Sequence, residues 1–200
     1  MRRKVNSSNG FMAESSVKKK RKAGARALAY IALGAVLIVL CAWASIPFAI
    51  PITLQLFGVF CCLELLGGRN GTIAIAVYLA LGAAGLPVFA GFVGGFGALV
   101  GVTGGYLWGM LAIGLLYWLG TAAAGTRTAV RAALLIAGLL VCYAIGTVWF
   151  MNVQSLSGSK VGLWAALGSC VLPFIPFDLA KLVGAMLIAK RIKPHIGSAA

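Results

Sequence analysis

Long apolar runs, each closed by proline, glycine or basic residues, constrain this chain more than any other feature. In lipid, every backbone N–H and C=O must find its partner inside the protein, so runs of this kind fold as membrane-spanning helices. The runs and their breakers predict six spans. These are 27–46, closed by Pro47; 53–67, ended by the Gly-Gly-Arg-Asn-Gly turn at 67–71; 72–86, ended by Pro87; 104–124; 128–151; and 176–189. A further apolar segment, 161–172, is cut off by Pro173. At about 18 Å as a helix it is too short to cross a bilayer, and a partial or surface helix is expected there. A β-barrel would instead show short segments of alternating polarity. The expected fold class is an all-α integral membrane protein, a six-transmembrane-helix bundle. A composition of 62% hydrophobic and 10% charged residues agrees with it.

The formal charge of +14 raises nucleic acid as a partner, but its distribution argues for a membrane. Nine of the 17 Lys and Arg lie at or before Arg26, and Lys190, Arg191 and Lys193 lie close to the other end. No nucleic-acid recognition motif accompanies them. With the N-terminus inside, the inner loops hold Arg69, Arg127 and Arg131, and the outer loops hold only Lys160, as the positive-inside rule requires. Both termini are then cytoplasmic. Residues 1–24 are expected to be a disordered basic tail, 25–193 the membrane domain, and 194–200 a short C-terminal tail. The first apolar run is too long for the core of a cleaved signal peptide. Trp43 and Trp149 fall near outer span ends and Trp118 near an inner one, while Trp108 and Trp164 suit either anchors or pocket walls.

Asp178 and Lys181 read as the only acid and base deep in an apolar stretch, three residues apart on one helix. Residues at that spacing share a face. Ionisable side chains in lipid are costly and face a partner or a polar cavity, so the pair marks a binding site. A plain intrahelical ion pair joining two spans is the alternative. Pro176 suits a first helical turn, which sets Asp178 near the positive end of the helix dipole. The five cysteines (Cys41, Cys61, Cys62, Cys142, Cys170) all lie in apolar runs without metal spacing, and His195 lies in the basic tail, so no metal or cofactor is expected.

The stretch 85–106 carries eight glycines, several aromatics and no charge. Gly91/Gly95, Gly97/Gly101, Gly101/Gly105 and Gly105/Gly109 have the spacing of close helix packing. Pro87 and the glycine density favour instead an outer loop whose bare backbone approaches a ligand, between Phe89, Phe92, Phe96 and Tyr106.

Pro-Val-Phe-Ala at 87–90, the Gly-Gly-x-Gly run at 94–97, Gly-x-Thr-Gly-Gly-Tyr at 101–106 and Phe-Ile-Pro-x-Asp-Leu-x-Lys at 174–181 resemble the BioY family. These are the biotin-binding S components of energy-coupling factor (ECF) transporters. The segment 46–55 is similar too, and the resemblance covers about residues 25–193 in order. The chain departs from the family pattern at Val102 (usually proline), Phe177 (usually glycine) and Gly91 (asparagine in some members).

The resemblance implies capture of biotin at the outer face of a bacterial cytoplasmic membrane. It also implies delivery through a coupling membrane subunit and two ATPase subunits. Asp178 would accept ureido N–H groups and Lys181 would donate to the ureido carbonyl or the carboxylate. Further expected ligand contacts are Thr103, Tyr106, Phe92, Gly91, Gln55, Asn152 and Trp164, with the proline-stiffened loop 47–52 as a lid. Ala25, Ala29 and Ala32 form a small-residue face expected to dock on the coupling subunit, or to serve ordinary packing. No phosphate-binding loop is present, so ATP hydrolysis falls to partners. A self-sufficient facilitator would need polar residues along a through-path, and spans one to five are nearly devoid of them. An S component for another vitamin is the remaining alternative. An intramembrane enzyme would need a nucleophile or metal constellation, which is lacking.

Overall fold

The computed structural model describes residues 4–46, 52–158 and 161–196, with side chains described from Gly24 to His195 within those segments. The expected lid 47–52 and Lys160 lie largely or wholly outside these residues. Seven α-helices follow in chain order: α1 Lys4–Trp43, α2 Gln55–Ala83, α3 Phe96–Val100, α4 Gly104–Ala124, α5 Thr128–Leu156, α6 Leu163–Cys170 and α7 Ile175–Ile196. A two-residue antiparallel ribbon, β1 Ser45–Ile46 on β2 Ile52–Thr53, closes the α1–α2 connection.

Among the described residues, four helices are long and apolar enough to cross a membrane: Gly24–Trp43, α2, α4 and α5. The bent pair α6 and α7, meeting at 46°, makes a fifth when counted as one span. The short apolar segment forms α6, and Pro173, which cannot continue the i→i−4 ladder, falls in the break before α7. α1 is helical from Lys4, where a disordered tail over 1–24 was expected. Its Lys, Arg and Ala residues are good helix formers that extend the first span.

The expected spans 53–67 and 72–86 fall together within α2, but α2 is not straight. Gly67 sits at φ 79°, ψ 170°, outside the helical region. Gln55 Nε2 donates to Tyr78 Oη at 2.7 Å. In a straight helix those residues would stand about 35 Å apart. The chain therefore folds back at Gly67 into two arms, 55–66 and 68–83. A conformation in this region is open essentially to glycine alone. Gly67→Ala should destabilise the fold by about 1–3 kcal/mol, read as a lower melting temperature in detergent. An unshifted melt would show that the turn does not depend on this backbone geometry.

α1 and α7 pack on α2, α5 packs along α4, and α2 joins α4. The α4–α5 crossing is close because glycines face it: a methyl on Gly105 would strike Trp149, and one on Gly146 would strike the Tyr106 ring. The core between the two groups is apolar, with Phe60, Leu63, Ile75, Ile113 and Leu135 fully buried.

The stretch 85–106 divides between its two readings. Gly105 and Gly109 serve close packing of α4 on α5. Upstream, Phe89 pairs with Val93 across a 3₁₀ turn at Ala90–Phe92, and α3 is only five residues long. Three tryptophans tie this segment down through its carbonyls. Trp43 Nε1 donates to Pro87 O (2.9 Å), Trp149 Nε1 to Gly101 O (2.9 Å) and Trp108 Nε1 to Leu99 O (3.3 Å).

Candidate functional site: a capped cavity with a buried ion pair

A cavity of about 250 Å³ lies at one end of the bundle, beneath the 84–103 segment. That is near the small end for a small-molecule pocket. Its wall is apolar on the side of Leu56, Phe89, Leu107 and Met110. On the α7 side it carries Asp178 and Lys181.

Asp178 is 2% exposed. Its Oδ1 accepts Lys181 Nζ at 2.7 Å, and its Oδ2 accepts the Tyr143 hydroxyl at 2.7 Å. The i, i+3 spacing on α7 accounts for the first contact. The second bridges α5 to α7 and depends on the tertiary fold. A carboxylate held by two donors keeps lone pairs free for a ligand, and the ammonium beside it keeps donors. The site therefore offers an acceptor next to a donor, the complement of an amide-like edge.

A second buried ionic cluster lies further down the bundle. Arg131 Nη1 donates to Glu64 Oε2 at 2.7 Å, and the Tyr117 hydroxyl donates to Glu64 Oε1 at 2.9 Å. Glu64 is 1% exposed, and Arg131 Nε makes no hydrogen bond. Glu64 lies nine residues beyond Gln55, Tyr117 eleven beyond Tyr106, and Arg131 twelve before Tyr143. Each offset places the cluster about 14–18 Å along its helix from the cavity. The plug of Phe60, Ile113 and Leu135 fills the interval.

Residues 12–198 match the BioY family. The chain belongs to the BioY family. It is 46% identical over 162 residues to the biotin transporter BioY of Thermotoga maritima, covering 78% of this chain and 89% of that protein. It is 36% identical over 159 residues to the biotin transporter BioY of Rhodobacter capsulatus, covering 76% and 83%. Among solved structures it resembles the S component for biotin from an ECF-type ABC transporter, with TM-score 0.74, 27% identity, and coverage of 86% of this chain and 92% of that one. These relatives are transporters, not enzymes.

In this BioY-family chain, five residues expected as ligand contacts share the cavity wall: Gln55, Thr103, Tyr106, Asp178 and Lys181. The other four do not line it. Phe92 is exposed and stacks on Trp43, with ring centroids 5.0 Å apart, and Gly91 lies in the same exposed turn. Asn152 is exposed on α5, ten residues beyond the cavity-lining Cys142. Trp164 is 85% exposed on α6, as befits an interfacial aromatic anchor. Short-range pattern places such residues near the cavity end but cannot say which way a side chain turns. Ala25, Ala29 and Ala32 are all exposed on α1.

Sequence reasoning missed Tyr143 and Glu64. Tyr143 carries no local signal, since a tyrosine in an apolar run reads as core. Glu64 does carry one: an acid between Leu63 and Leu65 in an apolar run, on the same physical ground as Asp178. Reading Asp178 and Lys181 as the only acid and base deep in an apolar stretch passed over it, although it lies inside the expected span 53–67.

Proposed function

We propose that this chain captures biotin from outside the cell in the cavity beneath the 84–103 segment, as the substrate-binding S component of an ECF transporter. The observation that carries this reading is the buried Asp178–Lys181 pair, which lines a mostly apolar cavity. A ureido ring presents an N–H beside a C=O. Asp178 accepts the N–H and Lys181 donates to the carbonyl, while Phe89, Met110 and Tyr106 cover the apolar bicycle. Thr103 and Gln55 offer further hydrogen bonds.

In this reading the chain crosses the membrane six times. The two arms of α2 make the second and third crossings, short ones that leave room for the flanking 52–54 and 84–103 segments to dip into the membrane from outside, and α6 and α7 share one crossing. Both termini then lie on the cytoplasmic side. Arg26, Arg69, Arg127, Arg131, Lys190, Arg191 and Lys193 all fall at the end away from the cavity, and Lys181 alone is at the cavity end among the described side chains. The positive-inside rule makes that basic end cytoplasmic and the cavity external, in the cytoplasmic membrane of a bacterium. Among the described residues the apolar plug separates the cavity from the Glu64 cluster and interrupts a polar path, which disfavours a self-sufficient facilitator. Import then needs the coupling subunit and two ATPases, with the exposed Ala25, Ala29 and Ala32 face of α1 as docking surface.

Purified chain in detergent should bind radiolabelled biotin saturably, and excess thiamine or riboflavin should not displace it. Displacement by another vitamin as readily as by biotin would reassign the substrate. No saturable biotin binding would end the proposal.

A further inference from the structure

The Asp178 carboxylate is engaged at both oxygens, by donors from two different helices. Lys181 reaches Oδ1 from the next turn of α7, and Tyr143 reaches Oδ2 from α5. A tyrosine hydroxyl has one proton. Tyr143 gives that proton to Asp178, so its oxygen has only lone pairs left to offer. Tyr143 also lines the cavity. The α5–α7 side of the site is thus an acceptor surface made of two oxygens, with the single donor Lys181 at its edge.

We propose that Tyr143 is a specificity-determining residue. Its hydroxyl oxygen, with the proton committed to Asp178, accepts one ureido N–H and rejects a ligand that places an oxygen there. This inference rests on the biotin reading above. A ligand oxygen at that position brings lone pair against lone pair at a residue only 8% exposed. Sites built to hydrogen-bond an N–H discriminate strongly against an isostere lacking it, because the buried acceptor is left unpaired. Without the Tyr143 hydroxyl, Asp178 Oδ2 is freed, and the cavity gains room that a water or the carboxylate itself can use.

The experiment compares biotin with its two cyclic carbamate analogues, in which one or the other ureido N–H is replaced by a ring oxygen. These keep the shape of the ring, so steric effects are matched. Competition binding to the full-length chain in detergent gives the affinity ratio of biotin to each analogue. In the unsubstituted chain, at least one analogue should bind about a hundredfold more weakly than biotin. In Tyr143→Phe, that ratio should shrink by about tenfold for one regioisomer only. Because the ratio is taken within one variant, a general loss of folded protein cancels. Should Tyr143→Phe fail to fold, 3,5-difluorotyrosine at position 143 keeps the ring and the donor while weakening the oxygen as an acceptor. The ratio should then shrink in the same direction. Ratios unchanged in both variants would overturn the inference and leave the biotin reading standing. An unsubstituted chain that binds no biotin would overturn both.

Discussion

Lys181→Ala is expected to lower biotin affinity by at least tenfold and to lower stability as well. Lys181 and Asp178 have side-chain exposures of 9% and 3% and are joined at 2.7 Å. Removing one partner leaves an uncompensated buried charge, which costs about 3–5 kcal/mol in buried pairs. Asp178→Asn should lose binding for the complementary reason, since an amide can present a donor where the ligand needs an acceptor. The double variant Asp178→Asn/Lys181→Met separates fold from function. It removes both charges, so its melting temperature should recover most of the loss, while biotin binding should stay at least tenfold weak. Melting in detergent and labelled-biotin binding on the same preparations decide the matter. Normal biotin binding by the folded double variant would show that the ligand sits elsewhere.

Glu64→Ala is expected to destabilise the bundle by about 3–5 kcal/mol, without changing biotin affinity in the fraction that folds. The glutamate holds Arg131 from α5 and Tyr117 from α4 at once. Its loss strands a partly buried guanidinium whose Nε already has no partner. Tyr117→Phe removes one neutral donor to the carboxylate and should cost less, about 1.5–3 kcal/mol. Glu64→Leu/Arg131→Met should restore much of the stability, because matched apolar groups often replace a buried pair at little cost. The plug between the cluster and the cavity predicts that binding of the folded species is untouched. If Glu64→Ala melts with the unsubstituted protein, the cluster contributes nothing to the fold. If it folds fully yet loses biotin, the two polar layers are coupled.

Much of the architecture is legible in the sequence. α4 at Gly104–Ala124 coincides with the apolar run 104–124, and α5 starts where the run after Arg127 starts. The turn signal at 67–71 falls on the fold-back at Gly67, and Pro173 falls between α6 and α7. These features are local: an apolar run, a glycine at positive φ, a proline without its N–H. The buried ion pair is local too, because three residues along a helix determine that Asp178 and Lys181 meet. What could not be read is which helix face turns inward in a chain that is apolar all round. When lipid and core are equally apolar, hydrophobic periodicity does not separate them. Trp164, which suits either an anchor or a pocket wall, and Asn152, near the outer face, are exposed and outside the cavity lining, and Tyr143 went unnoticed.

Elementary physical chemistry of the chain alone settles that it is helical, lies in a membrane, and buries an ion pair on one helix. A backbone surrounded by hydrocarbon has few other ways to satisfy its N–H and C=O groups, and short sequence spacing dictates who meets within a turn. The tertiary structure alone decided that Tyr143, 35 residues away, completes the Asp178 site, and that Arg131, 67 residues away, neutralises Glu64. Those meetings arise from how glycine-lined helices cross, and the distance between partners along the chain carries no trace of it.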